Sequence, residues 1–320
     1  MRNEHKLKRR RQMYCLIRKN AVDALGGEHP NAVWNQMAHM IIDEVWFKAV
    51  VNIQKRAGWP NLNIHLWDAF KTGYGIKQSL AIRRLTDPKD GTASLMAIVN
   101  KLISNKPLLT REVMVGYDET PMDVGPLFQA MANSVKYENG DQSDGEDQYP
   151  EGVRVGTADP VATQWWSDAD LAHAAFDRLR NAPLSEPRLP TDPISGEVLD
   201  RLKTALTSDA IGRVRYQCDK YLAHADLSDL SKGPASPTFN DIHDSVATLV
   251  AVKQFLLGDF FNHSGGSVVP TFQGHRFENL SVPLVPPMPV ANYREVWDEV
   301  EEEVEAWGDV DQSRRFGIHS

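Results

Sequence analysis

The residues of this chain that are best suited to chemistry lie in one segment, residues 213–226, which reads RVRYQCDKYLAHAD. A regular α-helix turns by about 100° per residue, so four polar side chains would share one face: Arg213, Gln217, Lys220 and His224. Apolar residues would form a second face that can be buried: Val214, Cys218, Tyr221, Leu222 and Ala225. Imidazole suits acid–base chemistry near neutral pH, and guanidinium and ammonium groups bind phosphate. The polar face therefore suits an anionic ligand, although an ordinary solvated helix face would show the same pattern.

Two short motifs resemble a known superfamily. Residues 219–226, DKYLAHAD, resemble the Asp-Lys-x-x-Ala-His-x-Asp string of the HEPN superfamily, in particular its abortive-infection-like branch. Upstream, residues 81–88 (AIRRLTDP) and 94–99 (SLMAIV) are similar to that branch's Arg-Leu-x-Asp helix end and the helix after it. The resemblance implies an all-α, HEPN-like antiparallel helical bundle that pairs as a homodimer. It also implies RNA cleavage without a metal ion in active members.

The resemblance assigns roles within the downstream motif. His224 would act as general acid or base, and Asp219 would orient the imidazole or the substrate. The predicted helix face, and not the resemblance, adds Lys220 and Arg213, which would stabilise the phosphate charge. These four residues are the predicted catalytic set.

One part of the family pattern is missing. Active members carry an arginine five to seven residues ahead of the histidine, but here that window holds Gln217, Cys218 and Asp219. A cysteine cannot supply the fixed cationic fork of an arginine, and loss of one such donor typically costs about a hundredfold or more in rate. Either Arg213 or Lys220 replaces it, or the fold has lost its chemistry. Three functions stay open. The first is a metal-independent endoribonuclease of a phage-defence or toxin type, and the second is a noncatalytic module that binds RNA or a partner protein. The third is an interaction protein whose acidic C-terminal helix is the functional surface and whose His224 only packs in the bundle.

Composition is that of an ordinary globular protein. The 320 residues, 42% of them hydrophobic, suffice for one large or two modest domains. Cys15 and Cys218 cannot form a disulfide framework, and no paired Cys/His spacing suggests zinc, so we expect no metal and no cofactor. The first twenty residues lack the apolar run of a secretory signal, and no window of about 18 apolar residues follows. We expect a cytoplasmic protein without membrane contact.

Charge is unevenly distributed. The net charge of −8 hides a basic N-terminal arm, since the first twenty residues hold eight lysines and arginines against one acidic residue, Glu4. Lys8, Arg9, Arg10 and Arg11 are the predicted RNA-binding residues, because such a cluster contacts phosphates without sequence preference. The alternative is a solvated basic helix start that aids solubility.

Apolar spacing and turn residues divide the chain into three parts. We predict the basic arm at residues 1–30, a HEPN-like helical domain at 31–265 and a proline-rich linker with an acidic helix at 266–320. Within the domain, residues at about 106–165 form an irregular insertion that includes a short strand at Val113–Tyr117, a helix at Pro126–Val135 and an exposed loop at Glu138–Gly152. Helices are predicted at 31–56, 62–85 with a break near Gly73, 92–103, 167–180 with a cap at Ser167 or Asp168, 194–206, 208–225 and 239–261.

The acidic C-terminal helix has one aromatic seam. Trp297, Val300, Val304 and Trp307 recur at spacings of three and four, among six carboxylates. Two heptads are marginal alone, so the seam must dock on its own bundle, on a dimer mate or on a partner protein. Six further histidines are predicted to be ordinary core or surface imidazoles: His39, His65, His173, His243, His263 and His275.

Overall fold

The computed structural model describes residues 2–57, 64–118, 160–181, 188–222, 236–263, 269–270 and 289–309. Within them lie ten α-helices: α1 (Arg2–Gly26), α2 (Val33–Ala57), α3 (Ile64–Leu85), α4 (Leu95–Ser104), α5 (Arg111–Met114), α6 (Pro160–Arg180), α7 (Gly196–Leu206), α8 (Asp209–Gln217), α9 (Phe239–Phe255) and α10 (Val290–Asp309). Wider π turns extend α8 over Cys218–Leu222 and α9 over Leu256–Phe260. The described residues contain no strand, only an isolated bridge between Thr110 and Pro193. The predicted all-α class is confirmed.

Three local predictions are wrong. The Val113–Tyr117 segment is helical, because α5 is followed by a single 3₁₀ turn at Gly116–Asp118. Gly73 does not break α3, which runs without interruption through both of its glycines. Ser167 does not cap a helix, since α6 begins at Pro160. The predicted helix at Pro126–Val135 and the loop at Glu138–Gly152 lie outside the described residues.

The chain folds into two compact units that are not contiguous in sequence. The first unit comprises residues 1–15 and 107–194, and the second comprises 16–106 and 195–320. Each therefore has its own packing, described separately below. None of the described helices is long and apolar enough to cross a membrane.

The first unit is organised around a buried arginine. Arg111 is fully buried and donates to the Asp177 carboxylate, with Asp192 3.4 Å from its Nε. Its guanidinium also lies 4.6 Å from the centre of the Phe176 ring. Two further arginines surround the carboxylates, with Arg188 2.8 Å from Asp177 and Arg180 3.4 Å from Asp192. This network joins α5 to the end of α6 and the segment after it.

The second unit is built around α9. This helix is buried on most of its surface, because its middle, SVATLVAV, is almost wholly apolar. It packs against α2, α3, α4, α7, α8 and α10. Its start is fixed by a capping box in which the Thr238 hydroxyl accepts from the Asp241 amide and the Asp241 carboxylate accepts from the Thr238 amide.

The acidic helix α10 docks on α2 within this unit. Its seam is buried, with Trp297, Val300, Val304 and Trp307 between 0% and 8% exposed. The Trp297 ring meets Trp46 of α2 edge to face, with centroids 5.3 Å apart. Of the three docking partners that the sequence allowed, the structure shows the chain's own bundle.

Candidate functional site

The motif helix is less regular than the sequence predicts. Regular α-helical geometry ends at Gln217, and the next five residues form a π turn, which takes more residues per turn than an α-helix. The predicted 100° spacing therefore does not continue to Lys220. Of the predicted apolar face, Val214 and Cys218 are fully buried and Leu222 is half-buried, whereas the Tyr221 side chain and Ala225 lie outside the described part of the chain.

The predicted catalytic residues occupy different surroundings. His224 lies outside the described residues. Lys220 is half-buried in the π turn, next to Asp219. Arg213 donates to the Asp241 carboxylate at the start of α9, and this hydrogen bond lowers the pKa of Asp241 to about 2. Arg213 and Asp219 therefore share no hydrogen bond.

Asp219 is held by the end of α3. Arg83 donates from Nε to the Asp219 carboxylate at 2.7 Å, and another of its nitrogens lies 3.6 Å from Asp87. Arg83 and Asp87 belong to the upstream motif, so the structure brings the two motifs into contact across about 130 residues of sequence. The next residue, Arg84, is exposed and forms no ion pair with any described residue.

Arg83 and Arg84 both influence the pKa of Cys218, the residue at the position where the HEPN pattern carries an arginine. Burial, followed by the charge of Asp219, raises the pKa of the Cys218 thiol, while the charges of Arg83 and Arg84 lower it. The thiol is therefore neutral near pH 7, and the positive charge beside the motif turn comes from α3.

The basic N-terminal segment is a regular helix, α1, and its four predicted RNA-binding residues divide into two pairs. Arg10 donates to Glu112 at 2.7 Å and to the Pro107 carbonyl at 2.8 Å, and Arg11 donates to the Glu112 carbonyl at 2.9 Å. These contacts lie within the first unit. Lys8 and Arg9 are exposed. Of the four predicted RNA-binding residues, two hold the unit together and two face solvent.

A cleft that the sequence did not predict lies between α2, α3 and α9 of the second unit. Its volume is about 590 Å³, which is in the size range of small-molecule sites. One wall is made of four rings: Phe47, Trp67, Tyr74 and Phe239. The Phe47 and Tyr74 rings stack with centroids 3.9 Å apart. Other lining side chains are polar: Lys48, Lys55, Lys71, Asn52 and Asn240. We call this the aromatic cleft.

A buried carboxylate forms the floor of the aromatic cleft. Glu44 is 1% exposed and accepts from the Tyr74 hydroxyl and, at 3.1 Å, from Nδ1 of His243. Burial, followed by the charge of Glu44, raises the pKa of Tyr74 above its usual range, so the phenol keeps its proton and donates. The hydrogen bond from Nδ1 fixes the orientation of the imidazole, which is the arrangement that acid–base histidines use.

The other imidazole nitrogen faces a lysine and a second carboxylate. Nε2 of His243 lies 3.3 Å from Nζ of Lys48 and 3.4 Å from Glu303 of α10, and Lys48 donates to Glu303 at 2.6 Å. An ammonium only donates, so a neutral His243 accepts from Lys48, whereas a protonated one donates to Glu303. Both imidazole nitrogens of His243 therefore face a hydrogen-bonding partner.

One feature of the sequence could have indicated the buried carboxylate at the floor of the aromatic cleft. Glu44 follows Met40 and Ile41 at the spacing of the core face of α2, where a carboxylate is costly unless it is paired. Its partner His243 is 199 residues away, so the sequence pattern did not reveal the pairing and His243 was predicted to be an ordinary core or surface imidazole.

Comparisons of the chain with family models, with curated proteins and with solved structures find no match. The HEPN assignment therefore stays a prediction that rests on the two motifs.

Proposed function

We propose that this protein is a HEPN-like, metal-independent endoribonuclease of a phage-defence or toxin type, with His224 as general acid or base. The observation that supports it most is the contact of Arg83 with Asp219, because it places the end of α3 beside the motif turn. Arg84, exposed on the same helix end, then supplies the positive charge that the missing arginine of the HEPN pattern would provide. Lys220 adds a second cation, and Asp219, fixed by Arg83, holds the turn that leads to His224.

In this proposal Arg213 has a structural task. Its ion pair with Asp241 ties α8 to the cap of α9, so the phosphate-binding role that its sequence position suggested passes to Arg84. The exposed Lys8 and Arg9 of α1 contribute sequence-independent contacts to RNA phosphates. A homodimer is part of the same proposal, since family members place two motifs across a dimer cleft.

The first experiment is incubation of the purified protein with mixed cellular RNA in excess EDTA. The parent should cleave, His224→Ala should not, and Arg84→Gln should be slower by about a hundredfold, because one charge donor is removed. Lys203→Gln removes an exposed charge from α7 and serves as the matched control. Normal cleavage by Arg84→Gln would show that the arginine assignment is wrong even if His224 is essential.

The second candidate is a noncatalytic HEPN-like module that binds RNA or a partner protein through the same face. Two observations favour it: Cys218 replaces the expected arginine, and Arg83 is already neutralised by Asp219 and Asp87. Intact RNA in every reaction, with a parent that is folded by circular dichroism and dimeric by light scattering, would support this candidate. Binding should then show a steep salt dependence that Lys8→Gln and Arg9→Gln reduce.

A further inference from the structure

The aromatic cleft has features of a ligand site and shares none of its lining residues with the motif face. Its aromatic wall is not sealed, since Phe239 is 42% exposed and Trp67 is half-buried. Large rings left partly open to a concave space offer a stacking surface for another flat ring. The cleft is therefore shaped for a planar group.

Positive charge lies beside this wall. Lys55 lines the cleft, is exposed and forms no ion pair with any described residue. Lys71 also lines it, but its ammonium is 2.7 Å from Asp68, and Lys48 is bound to Glu303. Lys55 is therefore the cation in the cleft that is ready to bind an anion.

Two amides complete the lining. The side-chain amides of Asn52 and Asn240 make no hydrogen bond with the described part of the chain, so each offers a donor and an acceptor to a ligand. On the floor, Nδ1 of His243 is held by Glu44 and Nε2 faces Lys48 and Glu303, so the imidazole positions these two charged side chains at the cleft.

We propose that the aromatic cleft binds a small aromatic anion, that is, a planar ring that carries a phosphate or carboxylate. The ring stacks on the exposed face of Phe239, and the anionic group binds Lys55. The amides of Asn52 and Asn240 bind polar substituents of the ring. Glu303 stands at the rim and weakens binding, because its carboxylate repels the anion and occupies Lys48. This site does not depend on RNA cleavage at His224.

The test is calorimetric titration of the full chain with a matched set of probes. Phenyl phosphate and salicylate are simple aromatic anions. UMP and AMP are nucleotides with the same two features, a ring and a phosphate, and they test whether the cleft prefers a nucleotide. Glycerol phosphate lacks the ring and benzyl alcohol lacks the charge. At least one of the four aromatic anions should bind with a dissociation constant below about 1 mM. Glycerol phosphate and benzyl alcohol should both bind more weakly than that probe.

Four variants locate the site. Lys55→Gln should weaken binding of the best probe about tenfold, and Phe239→Leu should weaken it several-fold, since leucine keeps the volume but removes the ring. Glu303→Gln should strengthen binding, because it frees Lys48 and removes a negative charge. Lys203→Gln should leave it unchanged. Urea unfolding of each variant, compared with the parent, separates a loss of binding from a loss of folding.

Three results would overturn the proposal: no aromatic anion binds, glycerol phosphate binds as tightly as phenyl phosphate, or Lys55→Gln and Glu303→Gln leave the affinity unchanged. Failure here is separable from failure of the RNA proposal. His224→Ala should keep the parent affinity for the best probe, whereas Lys55→Gln should keep any RNA cleavage.

Discussion

Lys253 is a lysine in the interior of α9, with only 2% of its surface exposed. Its ammonium lies 5.2 Å from the centre of the Trp34 ring, and no carboxylate in the described part of the chain pairs with it. Burial lowers the pKa of Lys253 from 10.5 to about 8. A buried cation with so little compensation is a cost to folding, which the cation–π contact only partly offsets.

Replacement of Lys253 by methionine should stabilise the protein by about 2 kcal/mol near pH 7, since methionine keeps the volume and removes the charge. The folded-state pKa lies below the unfolded one, so the unfolded chain binds more protons between pH 8 and 10.5. The parent therefore gains stability as pH rises through this window, and the advantage of Lys253→Met should vanish near its upper end. Urea unfolding of both proteins across that range measures the difference.

The control for this prediction is Lys203→Met on the exposed side of α7, which should change stability by less than about 0.5 kcal/mol at any pH. A constant advantage of Lys253→Met from pH 7 to 10.5 would mean that the gain comes from packing and not from the charge.

At the residue scale, the sequence predicted burial more successfully than it predicted polar contacts. Helical spacing identified Val214 and Cys218 as buried, because burial follows from position on a helix face. The partners of Asp219 and Glu44 are 136 and 199 residues away, so only the folded chain brings them together.

At the scale of elements, the periodic segments were predicted well and their ends less well. The predicted helix at 31–56 is α2, and the predicted helix at 239–261 is α9 with its π turn. The motif helix departs from the pattern, because apolar periodicity does not distinguish an α-helix from a π turn of five residues. The start of α6 was missed because its first turns include two tryptophans without a clear apolar stripe.

The seam of α10 makes a second prediction. Val300→Asp places a carboxylate in the buried contact with α2, where it has no partner, and should cost about 3 kcal/mol or more. Detachment of α10 from α2 would expose the new carboxylate to water and so remove the cost of burying it, without unfolding the other helices. Hydrogen exchange in residues 290–309 should therefore accelerate strongly, while exchange in α4 stays at the parent rate.

Ala306→Asp is the matched control, because it adds the same charge to the exposed side of the same helix. If both variants exchange equally fast, helix propensity and not docking on α2 determines the stability of α10.

At the scale of the whole molecule, the division into two units could not be inferred from sequence. The first unit combines residues 1–15 with 107–194, and Arg10 and Glu112, which are paired within it, are 102 residues apart. Composition shifts indicate linkers, but they do not reveal that a helix such as α1 contributes its first residues to one unit and the rest to another.

If the two units are separate cooperative regions, damage to one should leave the other protected. Arg111→Met keeps much of the bulk of the buried side chain but leaves Arg188 as the arginine beside Asp177 and Arg180 as the arginine beside Asp192. Removal of one partner from a buried ion pair typically costs about 3–5 kcal/mol. Exchange should accelerate in α5 and in residues 170–181, while α4, α7 and α9 keep the parent rates. Arg201→Met on exposed α7, where the ion pair with Glu197 spans one helical turn, should change neither unit. Equal acceleration across both units in Arg111→Met would instead mean that the chain unfolds as a single cooperative region.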